Sequence, residues 1–83
     1  KMEKKTVKYH IPQHGIYMYA RTNSGKTELI VLNSTDAEQV VANDHYRIMT
    51  NDSKSGKELI SGKKIDLTKN MTVGARQSLI IEL

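Results

Sequence analysis

The sequence predicts an all-β domain, an antiparallel sandwich or small barrel of seven or eight short strands. Two observations carry this. Strand-like segments recur at roughly ten-residue spacing with turn residues between them. No strand–helix–strand alternation is present, which argues against a parallel sheet.

The elements follow in order. Residues Glu3 to Tyr9 are polar, with Val7 and Tyr9 two apart, and read as a short edge strand. Ile11-Pro12-Gln13-His14-Gly15 should break it, because Pro and Gly punctuate. Ile16 to Arg21 is dense in β-branched and aromatic residues and predicts a strand. Thr22-Asn23-Ser24-Gly25-Lys26 reads as a turn, and Thr27 to Asn33 as the second strand of a hairpin. Leu29-Ile30-Val31-Leu32 is apolar on both faces, which places this strand centrally in its sheet. Ala37 to Ala42 reads as a strand in preference to a helical turn, since a lone helix of that length is marginal. Tyr46 to Met49 is a short strand or a turn of helix, and Thr50 to Gly56 a polar loop. Lys57 to Ile60 and Lys64 to Leu67 flank the turn Ser61-Gly62 as a compact hairpin. Met71-Thr72-Val73 is a strand, Gly74 interrupts it, and Arg76 to Leu83 closes the chain as a strand.

Eighty-three residues make one domain, spanning 1–83, with a thin core. A chain of this size buries roughly 60–65% of its unfolded surface. It holds a stability reserve on the order of 5 kcal/mol. Cysteine is absent, which removes disulfides and thiolate metal sites. No apolar run approaches a membrane span; the longest, Leu79-Ile80-Ile81, is strand-sized. No signal peptide is visible, and a chain opening on Lys1-Met2 is what an excised fragment would show. The net charge is +4, from 13 Lys and Arg against 9 Asp and Glu. Those cations are spread along the chain, and without Trp or Phe it lacks the stacked rings of a single-strand binding platform. A solvated basic surface is therefore preferred to a nucleic-acid partner, and no membrane partner is expected.

The apparent chemical motifs do not assemble. Ser24-Gly25-Lys26-Thr27 resembles the end of a phosphate-binding loop, but position 20 is Ala where that loop needs Gly. The following segment is also an apolar strand, not the helix whose N-terminus would hold the anion. His10 and His14 are four apart, yet Pro12 and Gly15 oppose a helix there and no third ligand is suitably spaced. The nine carboxylates fall mostly in or beside turns, where they satisfy local backbone groups, and no two are marked as a pair. The serines have no nucleophile-elbow context. No catalytic residue, metal site or cofactor is expected of this chain. Three glycosylation sequons, at Asn33, Asn51 and Asn70, are what chance gives in an Asn-, Ser- and Thr-rich chain.

Tyr17, Tyr19 and Arg21 share one face of their strand by the period of two. On a central strand such a face forms a core or covers a neighbouring domain more readily than it stacks on sugar. Tyr46, beside a loop, is the better candidate for an exposed sugar contact.

Tyr9 through Arg21, with its Pro, its Gly and a tyrosine alternation ending in Arg, resembles the opening of a known domain. That domain is the C-terminal one of the cyclomaltodextrinase and neopullulanase branch of the α-amylase superfamily. Leu29-Ile30-Val31-Leu32-Asn33 is similar to its apolar strand ending in Asn, and Glu58 through Leu67 to its Leu-x-Gly-Lys hairpin. Leu67 through Leu83 resembles its closing strands. Gly74 stands where the family usually has Pro, Ala20 where an aromatic is common, and Val40 to Gly56 matches poorly. The resemblance implies a Greek-key β-sandwich packed beside the catalytic barrel of the same polypeptide. It implies a parent enzyme acting on starch-type α-glucans, pullulan or cyclodextrins, in which α-glucan is the other partner to consider. The family's catalytic carboxylates and calcium ligands lie in the barrel, so none is carried over. The flavour of similar sequences implies a periplasmic enzyme, with the cytoplasm as alternative. An apolar patch of several hundred Å² including Tyr17 and Tyr19 is expected on the isolated domain.

Overall fold

The computed structural model describes residues 5–83, and its strands make an all-β, antiparallel sandwich. A six-stranded sheet has the order β1-β2-β3-β8-β5-β6, and β4 and β7 form a two-stranded sheet. The strands are β1 Lys5–Gln13, β2 Ile16–Asn23, β3 Lys26–Asn33, β4 Gln39–Val41, β5 Ser55–Glu58, β6 Lys64–Asp66, β7 Met71–Val73 and β8 Ser78–Glu82. Glu3 and Lys4, read as the start of the first strand, lie outside the described residues.

The first strand does not stop at Ile11. It runs through Pro12 to Gln13, with a register slip between His10 and Gln13 that absorbs the proline. The edge position makes this possible, because the missing N–H of Pro12 leaves no central ladder broken. The chain then turns at His14-Gly15, where Gly15 has φ +82°. The next turn uses Ser24 at φ +54° and Gly25 at φ +82°, with Asn23 opposite Lys26. Two consecutive positive φ values define the primed turn whose twist suits a two-residue hairpin. The phosphate-loop look-alike is thus a hairpin turn followed by a strand, as its sequence context required.

β3 is central, between β2 and β8. Its position follows from a long return: the chain leaves β3, builds four further strands and a helix, and comes back as β8 between β3 and β5. The core fills the inner face. Ile16, Met18 and Ala20 of β2, Leu29 and Val31 of β3, and Leu79 and Ile81 of β8 meet Val41, Met71 and Val73 of the small sheet. Leu67, Tyr46 and Met49 close it.

Between β4 and β5 the chain forms α1, Asn43–Tyr46, continued by a 3₁₀ turn, Arg47–Met49. Of the two readings of Tyr46–Met49, the turn of helix holds and the strand does not. Tyr46 and Met49, three apart, drop onto the core together while Arg47 and Ile48 stay exposed. The last strand is shorter than Arg76 to Leu83, because Arg76 takes φ +58° in the preceding turn, where its guanidinium reaches Asp36 at 2.8 Å.

Asn33 joins the layers. It is fully buried, and its amide donates to the carbonyls of Ala37, Val73 and Gly74 at 2.9, 3.1 and 3.0 Å. Its Oδ1 accepts from Thr35 N and Oγ1 at 2.9 and 2.7 Å. One side chain thereby ties the end of β3 to the end of β7.

Candidate interaction surface

Alternation along β2 sends Ile16, Met18 and Ala20 to the core and Tyr17, Tyr19 and Arg21 to the other face of the sheet. The register extends that outer face across its neighbours. Tyr9 on β1 lies opposite Tyr19, Tyr19 opposite Ile30, and Ile30 opposite Ile80. Leu59, just past β5, donates its N–H to the carbonyl of Ile80 at 2.8 Å and so continues the row. On one side lies the row Val7, Arg21, Glu28, Glu82, Lys57; on the other, Tyr17 faces Leu32.

The middle of this face is apolar, and nothing among the described residues covers it. Tyr9 is 76% exposed, Ile11 61%, Val7 and Tyr17 47% and Leu32 39%. Tyr19, Ile30 and Ile80 are half-buried by their neighbours. The rings of Tyr9 and Tyr19 are in contact, 5.1 Å between centroids and tilted by 53°. Tyr9, Ile11, Tyr17, Tyr19, Ile30 and Leu32 line a groove with almost no polar surface. Antiparallel sheets commonly leave one face polar when that face meets water, and the outer face of β1, β2 and β3 departs from that pattern. Its flank is charged but balanced. Arg21 donates to Glu28 Oε1 through Nε at 3.0 Å and through Nη2 at 2.8 Å. That hydrogen bond, with the Glu28 charge, raises the Arg21 pKa. Lys57 stands opposite Glu82.

Tyr17, Tyr19 and Arg21, paired by sequence, do share this face. Tyr46 does not fit its sequence reading as an exposed sugar contact. Its relative exposure is 0%, its ring is in the core, and its hydroxyl donates to the carbonyl of Lys69. Burial pushes its pKa up. The sequence reading passed over Tyr9, Ile11, Leu32 and Leu59. The alternation Val7-Tyr9-Ile11 was a signal for the first two. Leu59 joins only through pairing with a distant strand.

The remaining polar groups serve the fold. His10 Nε2 bonds the carbonyl of His45 at 2.7 Å, and His14 sits exposed in the first hairpin turn. Glu58, only 4% exposed, accepts from the amides of Ser61 at 2.8 Å and of Ile80 and Ile60 at 3.2 Å. The Ser61 amide foremost, then those of Ile80 and Ile60, lower its pKa to about 2 against the cost of desolvation. Asp66 is lowered by the hydroxyl and amide of Thr68. Among the described residues no three His, Cys, Asp or Glu side chains group as metal ligands, and no helix is long and apolar enough to cross a membrane.

A family model described as the cyclo-malto-dextrinase C-terminal domain matches residues 7–82. Among solved structures, the chain is similar to part of the β-galactosidase from Bacillus circulans sp. alkalophilus, with a TM-score of 0.67 and 22% identity. The match covers 88% of this chain and 9% of that one, so the chain spans less than a tenth of the solved protein's length. At that identity the likeness establishes the shared fold.

Proposed function

The chain belongs to the cyclo-malto-dextrinase C-terminal domain family, and from that premise we propose that it is the non-catalytic C-terminal domain of an amylase-type enzyme acting on starch-like α-glucans or cyclodextrins. In this reading, residues 1–83 are one accessory domain. Its outer sheet face, including Tyr17, Tyr19 and Arg21, packs on the catalytic barrel of the same polypeptide and stabilises it. The observation that carries the reading is the division of apolar residues between two faces. The inner set forms a closed core, while the outer set of Tyr9, Ile11, Tyr17 and Leu32 has no cover among the described residues. Covering such side chains is worth about 25 cal/mol per Å² of apolar area, so a partner seated on this face gains from burying them.

The test is thermal unfolding of the parent enzyme and of the isolated domain, each with Tyr17→Asp. Docking predicts a lower midpoint for the parent and little change for the domain, whose core does not contain Tyr17. Equal shifts in both would reject the reading.

The alternative is a carbohydrate-binding module using exposed tyrosines, now Tyr9 and Tyr17 in place of Tyr46. The 53° tilt between Tyr9 and Tyr19 speaks against it, because the two rings do not form one flat platform for pyranose stacking. Calorimetric titration with maltooligosaccharide decides: heat at millimolar sugar would favour binding, and none would leave the docking role. The reading also carries a periplasmic parent enzyme, with the cytoplasm as alternative, which cell fractionation distinguishes.

A further inference from the structure

The apolar residues of the outer face are not a round patch. They form a row that crosses the strands at right angles, Tyr9, Tyr19, Ile30, Ile80 and Leu59, from the β1 edge to the end of β5. Four interstrand steps make it about 19 Å long. It is wide at one end, where Ile11, Tyr17 and Leu32 add the groove, and narrow at the other, where Leu59 is 41% exposed.

We propose that this whole stripe is the footprint of the catalytic domain of the same polypeptide, which seats an apolar side chain in the groove between Tyr9, Ile11, Tyr17 and Leu32 and reaches Leu59 at the far end. The proposal rests on the docking role given above and adds its extent and its anchor.

The occupant follows from three features. First, family membership places this domain at the C-terminal end of a longer protein, so a covering surface is present in the same chain at high effective concentration. Second, the charged row beside the stripe is self-compensating. Arg21 is held by Glu28, and Lys57 faces Glu82, so this row leaves no net charge to recruit a strongly charged partner such as nucleic acid. Recognition then falls to apolar fit, with the charges forming the polar rim usual for an interface. Third, Tyr9 has the position of an anchor. It is the most exposed large apolar side chain of the face, yet it is already braced against Tyr19, so little freedom is lost when it is covered. A footprint running from β1 to β5 also holds the domain at both sides of its sheet, which resists pivoting about either edge.

The test uses the full-length parent enzyme, with Tyr9→Asp, Leu59→Asp, and Val40→Asp as control. Val40 is 54% exposed on the small sheet, away from the stripe. Protease release of the C-terminal domain is timed under native conditions, and amide exchange in β2 and β3 reports whether the domain itself stays folded. Tyr9→Asp and Leu59→Asp should each speed release about tenfold or more, with core exchange unchanged, while Val40→Asp should not. If Tyr9→Asp acts and Leu59→Asp matches the control, the contact is confined to β1–β3 and the stripe is refuted, although docking stands. If neither acts, the docking role falls with it. Should either Asp variant disturb core exchange, the corresponding Ser variant is measured by the same criteria.

Discussion

Tyr9 and Tyr19 face each other across the β1–β2 hairpin, their ring centroids 5.1 Å apart and their planes tilted by 53°. The pair lies wholly on the outer face, so it should contribute to the domain's own stability separately from any partner. Tilted aromatic pairs at this distance are worth about 0.5–1.5 kcal/mol beyond area burial. A double-mutant cycle with Tyr9→Leu and Tyr19→Leu, read by urea unfolding of the isolated chain, should return a coupling in that range. A coupling near zero would mean that the rings only share a surface.

Asn33 should be among the costliest polar positions in the chain. It is fully buried and its side chain engages Ala37, Val73, Gly74 and Thr35. Asn33→Ala strands several of these groups at once, and the expected loss is about 2–4 kcal/mol. Urea unfolding measures it. A loss below about 1 kcal/mol would show that water replaces the side chain freely and that it does not tie the sheets.

Two glycines in left-handed turns separate backbone strain from crowding. Gly15 and Gly25 both have φ +82°, so alanine at either costs about 1–2 kcal/mol from conformation alone. A Cβ at Gly25 meets nothing within 4 Å, whereas one at Gly15 would lie 2.4 Å from Thr35 Cγ2. Gly15→Ala should therefore cost about 1–3 kcal/mol more than Gly25→Ala. Thr35→Ser removes the offending methyl but keeps the hydroxyl that bonds Asn33 Oδ1. The double variant Gly15→Ala with Thr35→Ser should recover much of the difference in thermal midpoint, and no recovery would contradict the steric account.

The strands that build the core were legible because their signals are local. Alternation in Ile16 to Arg21 and the apolar run Leu29 to Leu32 predict both hairpin partners, and the double-sided run places β3 centrally. The run was informative in a second way: its outer residues, Ile30 and Leu32, are the ones left without full cover. Where local signals are short, the reading gave way to packing. Four residues cannot hold a helix by propensity, so α1 and the 3₁₀ turn after it are held by Tyr46 and Met49, which fill the core. The same packing buries the Tyr46 ring that the polar loop beside it made look exposed. Pro12 stays in a strand only because β1 is an edge, a fact of sheet order. Period two brought Tyr17, Tyr19 and Arg21 together. Leu59 could not be added from sequence, because its place depends on pairing with Ile80, 21 residues later.

Glu58 makes the domain's stability depend on acid in a defined window. Amide donors from Ser61, Ile80 and Ile60 hold its pKa at about 2, below the 4.5 of an unrestrained side chain. The folded state therefore binds this proton less readily than the unfolded state. The stabilisation is fully present above about pH 4.5 and fades as pH falls toward about 2. Glu58→Gln keeps the shape but removes the charge and one acceptor, so it should lower the thermal midpoint at neutral pH. The gap between wild type and variant should then narrow steadily through that window. Asp66, also lowered by its Thr68 donors, is present in both proteins and cancels in the comparison. A gap that stays constant from pH 7 to pH 2 would show that the loss is one of packing and that the carboxylate charge plays no part.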